Sequence, residues 1–96
     1  MDFRDDYAWE INPPGVRFWG EAAGRALPFF VGQMAINDWC ETDDSRDDAI
    51  SNFERNRKTI ESIAWQLLND NATMSERGVY EIRGQDLERH QPEPRN

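Results

Sequence analysis

The spacing of apolar positions changes twice along this chain, and each change marks a new kind of element. In "YAWEI", Tyr7, Trp9 and Ile11 alternate with other residues, a period of two that predicts a short extended segment. Asn12-Pro13-Pro14-Gly15 then forces a turn, because both prolines fix φ and neither donates a backbone hydrogen bond. "VRFWG" puts Val16 and Phe18 on one face and Arg17 and Trp19 on the other; "LPFFV" repeats the alternation with Leu27, Phe29 and Val31. Gly24 lies in the polar stretch between them, so residues 16–31 read as a β-hairpin. Pro28 belongs at an edge of its strand or at its entry, since it lacks an N–H.

From Gln33 to about Glu41, most of Met34, Ile36, Trp39 and Cys40 fit one side of a short helix and no longer fit a strand. "ETDDSR" carries no apolar residue and reads as a linker. From Asp47 to Leu68 the positions Ala49, Ile50, Phe53, Ile60, Ile63, Ala64, Leu67 and Leu68 form one helical stripe. Ser45 or Asp47 caps its start, acids in the first turn suit the helix dipole, and Glu54 precedes Lys58 at the favourable spacing for a surface pair. "VYEIR", framed by Gly78 and Gly84, returns as a strand, and Asp86 is a candidate cap for a last turn. The expected fold is one α+β domain over residues 1–87 in the order β-β-α-α-β. A small antiparallel sheet, the hairpin plus the returning C-terminal strand, packs on a short and a long helix. Residues 88–96 are expected to be a flexible tail. Trp65 is assigned to the core, whereas Trp19 and Trp39, if exposed and adjacent, would mark a partner-binding patch.

Composition narrows the functional classes. Ninety-six residues suffice for one modest core, and 31% charged residues with 38% hydrophobic ones describe a folded domain rather than a disordered one. A net charge of −8 repels phosphate backbones, and the one tight basic group, Arg55, Arg57 and Lys58, is interrupted by other residues. Nucleic acid is therefore not an expected partner; the charge keeps the domain soluble or meets a basic protein. Cys40 is the single cysteine, so no internal disulfide forms, and a buried reduced thiol at a helix end is expected. The lone His90 lies in the polar, proline-containing end, which makes a Cys–His nucleophile a poor reading. The acidic N-terminus does not resemble a secretion signal, and no apolar run approaches the ~20 residues that cross a bilayer. The chain reads as cytoplasmic, away from membranes, and without a catalytic constellation.

Two further groups carry candidate chemistry. Arg57 falls between Ile50, Phe53 and Ile60 in helical angle, with Asn56 at the margin of the same stripe. Its planar five-donor fork suits tying the helix to strand ends or loops, and Glu61 lies four residues on as an ion-pair partner. The functional alternative is an anion or partner contact built from Asn56, Arg57 and Glu61. Separately, "DDSRDDAISNFE" matches an imperfect EF-hand loop, with Asp43, Ser45, Asp47 and Glu54 as Ca²⁺ ligands. Asp48 stands where that loop needs glycine, and Ile50 and Phe53 fit the helical stripe, so helix is the preferred reading and no cofactor is expected.

"VRFWG", "FFV" before a short helix, an acidic linker, "FERNRKTIESIA" and "GVYEI" together resemble the bacterial domain-of-unknown-function family numbered 1488. The resemblance spans about residues 7–87, and its most specific part is Phe53, Asn56, Arg57, Ile60, Glu61 and Ala64 on the long helix. It implies a small α+β domain with a hairpin, two helices and a returning strand, and it implies no activity. Gly32 departs from the hydroxyl residue that would be expected to cap the short helix. The expected function is accordingly a small non-catalytic interaction or regulatory domain with a protein partner, the alternative being the calcium module.

Overall fold

The computed structural model describes residues 1–94 and contains a four-stranded sheet in the order β1-β2-β3-β4. The strands are β1 (Asp2–Ile11), β2 (Pro14–Ala22), β3 (Arg25–Gly32) and β4 (Tyr80–Ile82). Between β3 and β4 the chain forms α1 (Gln33–Cys40), α2 (Arg46–Arg55) and α3 (Arg57–Asn69), and α4 (Gly84–Leu87) follows β4. The α+β class and the hairpin are as the alternation predicts: Phe18 pairs with Phe29 and Val16 with Val31. The hairpin turns at Ala23 and Gly24, both at positive φ (52° and 76°), the two-residue geometry that matches strand twist.

Three features differ from the sequence reading. The extended segment around Tyr7 is a full ten-residue strand, paired antiparallel with β2. The sheet is mixed, because β4 runs parallel to β3. Three helices carry the chain back to the end at which β3 began, and a crossover of that length delivers a parallel neighbour. The third difference is in the long helix, which is broken at Asn56 (φ −105°, ψ 17°) into α2 and α3. The Asn56 side chain donates to the Asn52 carbonyl at 2.9 Å, a local side-chain bond that bends helices. The expected Glu54–Lys58 pair spans this break and is replaced: Glu54 accepts from the Tyr7 hydroxyl instead.

One face of the sheet carries the core. Val16, Phe18, Phe29, Val31 and Ile82 meet Ile36, Ala49, Phe53, Ile60, Ile63, Ala64 and Leu87 from the helices. Phe18 joins the layers, its ring 5.4 Å from Phe29 and 5.3 Å from Phe53. Pro28 pairs with β2 just beyond the three β3 residues that β4 covers, so its missing N–H faces an open edge. The segment assigned to a tail is tied down as far as it is described: His90 O accepts from the Trp39 indole at 2.9 Å, and Glu93 N donates to Asn56 Oδ1 at 2.6 Å. Arg95 and Asn96 lie outside the described residues.

Candidate functional site

The break between α2 and α3 opens a cleft of about 690 Å³ that brings Asn56, Arg57 and Glu61 together. Its other walls include Asp5, Arg55, Lys58 and Glu93. Arg57 is used internally. Its Nε donates to Glu61 Oε2 at 3.1 Å and Nη1 to the Asp5 carbonyl at 2.6 Å, while Nη2 donates to the Arg4 carbonyl. Those carbonyls sit where β1 bulges between Phe3 and Tyr7. The guanidinium also covers Phe53, 5.4 Å from that ring's centroid. The fork geometry therefore clamps α3 to an irregular strand that lacks regular ladder partners.

Asn56 is 1% exposed and belongs to a buried amide network that the sequence reading missed, together with Asn37 and Asn52. Asn52 Nδ2 donates to Asn37 Oδ1 at 3.0 Å and to Thr42 Oγ1 at 2.9 Å, and its Oδ1 accepts from Arg55 at 2.6 Å. Asn37 Nδ2 donates to the Ser45 carbonyl at 2.9 Å, which ties α1 to the start of α2. The signal available in the sequence was the four-residue spacing of Asn52 and Asn56, which places both amides on one helix side. Cys40, the last residue of α1, is partly rather than fully buried, and its sulfur accepts from Asn56 Nδ2 at 3.6 Å.

The calcium segment is helix from Arg46 onward rather than loop. Ser45 caps α2 by accepting the Asp48 N–H at 3.1 Å, Asp47 and Asp48 fill its first turn, and Asp44 accepts from Gln33 at 2.8 Å. Asp43, Ser45, Asp47 and Glu54 are not gathered around a common point: among the described residues, no three His, Cys, Asp or Glu side chains are placed to hold a metal ion. Glu54 stays engaged with Tyr7, whose phenol is pushed above its ordinary pKa. The hydrogen bond to Glu54 is the main cause, reinforced by burial and the Glu54 charge and opposed by Arg57.

The tryptophans are placed differently from the expected patch. Trp19 lies on the open face of the sheet, opposite in direction to Phe18, with the Arg4 guanidinium 5.6 Å from its ring. Trp39 packs half-buried against the helix-side core. The two therefore do not form one surface. Trp65, assigned to the core, is 45% exposed. Five helical steps from Ile60 rotate it by roughly 140°, off the buried stripe, a result that the angle predicts and the bulk of the indole obscures. It lines a shallow depression of about 540 Å³ with Met1, Phe3, Lys58, Glu61 and Ser62.

No helix among the described residues is long and apolar enough to cross a membrane. No curated protein matches the chain. A crystal structure of a protein of unknown function from the DUF1488 family of Shewanella loihica PV-4 superposes with a TM-score of 0.75 and 20% sequence identity. The match covers 85% of this chain and 90% of that one. This likeness speaks for the fold. The sequence itself matches the family profile described as "Protein of unknown function (DUF1488)" over residues 1–92. The chain therefore belongs to the DUF1488 family, as the long-helix motif and the order of its elements imply.

Proposed function

We propose that this chain is a small, non-catalytic, cytoplasmic interaction domain that binds a protein partner through the surface around Trp65. The carrying observation is the 45% exposure of Trp65 beside Met1 and Phe3 in one shallow depression, with Lys58 and Glu61 on the same rim. A large aromatic flanked by apolar neighbours and rimmed by charge is the arrangement that dominates binding energy at protein interfaces. The net charge of −8 favours a protein over a nucleic acid as the partner. The polar groups that suggested chemistry support a structural role, since Arg57 and Asn56 spend their hydrogen bonds inside the fold.

The test is affinity capture with cross-linking, comparing wild type with Trp65→Ser, a change that removes exposed area and leaves the core contacts in place. Wild type should retain a partner that Trp65→Ser loses by at least tenfold at equal loading. Equal retention by both proteins would remove Trp65 from the interface.

A further inference from the structure

The segment Gln91-Pro92-Glu93-Pro94 has an unusual backbone. Pro92 and Pro94 carry no N–H, so Glu93 supplies the single main-chain donor over residues 92–94. That donor is taken by Asn56 Oδ1 at 2.6 Å. Three residues upstream, the His90 carbonyl accepts from the Trp39 indole at 2.9 Å. Two side chains, one on α1 and one at the α2–α3 break, thus bind residues 90–93 at main-chain polar groups.

The receiving side is fixed from behind. Asn56 Nδ2 donates to the Asn52 carbonyl at 2.9 Å and lies 3.6 Å from Cys40 Sγ, which sets the direction of Oδ1. With residues 90–94 in place Asn56 is 1% exposed, and the Glu93 N–H is the donor that its Oδ1 accepts there. The docked side is lightly held: Gln91, Glu93 and Pro94 are exposed and Pro92 is half-buried. An exposed segment held by two such main-chain bonds is suited to leave and return. Prolines restrict the free segment to extended conformations and lower the entropy lost on docking.

We infer that the surface carrying the Trp39 indole and Asn56 Oδ1 is a docking site for a proline-flanked peptide segment read through its main chain. The chain's own residues 90–94 occupy it in cis. A partner segment of the same class would displace this tethered occupant, whose effective concentration is on the order of millimolar. The inference uses Trp39 and Asn56 and not Trp65, and it stands or falls independently of the Trp65 reading.

The experiment uses ¹⁵N-labelled full-length protein and follows hydrogen exchange of the Trp39 indole N–H by NMR. Glu93→Pro removes the N–H that Asn56 accepts, whereas Glu93→Ala keeps it and changes only the exposed side chain. Glu93→Pro should speed Trp39 indole exchange at least tenfold, and Glu93→Ala should change it less than twofold. A synthetic peptide of residues 88–94, added to the Glu93→Pro protein at millimolar concentration, should restore protection saturably; the same peptide carrying proline for Glu93 should not. An unchanged indole in Glu93→Pro would overturn the inference at its first step. A freed indole that the peptide fails to protect would overturn it at the second, leaving the contact as part of the fold alone.

Discussion

The two faces of the sheet bury aromatic rings by opposite means. On the helix side, Phe18 and Phe29 are fully buried in an apolar cluster with side chains of the helices. On the open side, outside that cluster, Phe30 is also only 3% exposed. Arg77 lies over it, the guanidinium 4.3 Å from the ring centroid. Arg77 is held there by Glu10 at 2.6 Å and Glu81 at 3.0 Å, and Glu10 in turn lies 2.5 Å from Arg17 Nε. The stem and planar head of an arginine can shield apolar surface while the charge stays near water. A charged network thus replaces a packing layer, and the difference teaches that burial of a ring does not by itself report a hydrophobic environment.

That comparison can be broken most severely from the helix side. Phe53→Ala removes the ring that touches both Phe18 and Tyr7 in the closed core. A cost of about 3–5 kcal/mol is expected in urea unfolding at unchanged m-value. On the open face, Arg77→Ala should cost about 1–2 kcal/mol, combining lost cover for Phe30 with two half-exposed ion pairs. Arg77→Met sharpens the test. It restores apolar cover without charge, so recovery of more than half the loss would identify shielding rather than ion pairing as the larger effect.

The smallest expected effect lies at the junction of β1 with α2. Tyr7→Phe removes the hydrogen bond to Glu54 and should cost about 1 kcal/mol near neutral pH. Because folding raises the Tyr7 pKa, the contribution is fully present below the unfolded value, about 10, and is lost as pH rises through the folded value. The stability gap between wild type and Tyr7→Phe should therefore shrink above pH ~10. A gap that stayed constant through that range would show that the phenol's proton is not part of the contact.

Much of this fold was legible because its core follows simple periods. Val16, Phe18, Phe29 and Val31 alternate, and Ala49, Phe53, Ile60, Ile63 and Ala64 keep a helical stripe, with all nine at 0–3% exposure. The direction of β4 was not legible, since alternation along Tyr80–Ile82 reads the same in parallel and antiparallel pairing. Nor was the break at Asn56, because the stripe continues across it and the cause is one side-chain bond to Asn52. Buried Asn37 and Asn52 look like surface residues until their partners on other elements are known. Of the candidate site residues, Asn56, Arg57 and Glu61 do line one cleft, at the α2–α3 break. Trp19 and Trp39 share a residue type but lie apart, and the size of Trp65 suggests the core whereas its helical angle places it outside.

The Arg57 clamp has a consequence for how these molecules behave in a crowd. A ten-residue border strand such as β1 is a template on which another chain can extend the sheet. Here the guanidinium occupies the carbonyls of Arg4 and Asp5, and the bulge between Phe3 and Tyr7 throws the strand out of register midway. A foreign strand could therefore pair along only part of the border before its ladder failed. At the opposite border, β4 offers just three residues. The same arginine that joins helix to strand also guards the molecule against edge-to-edge aggregation.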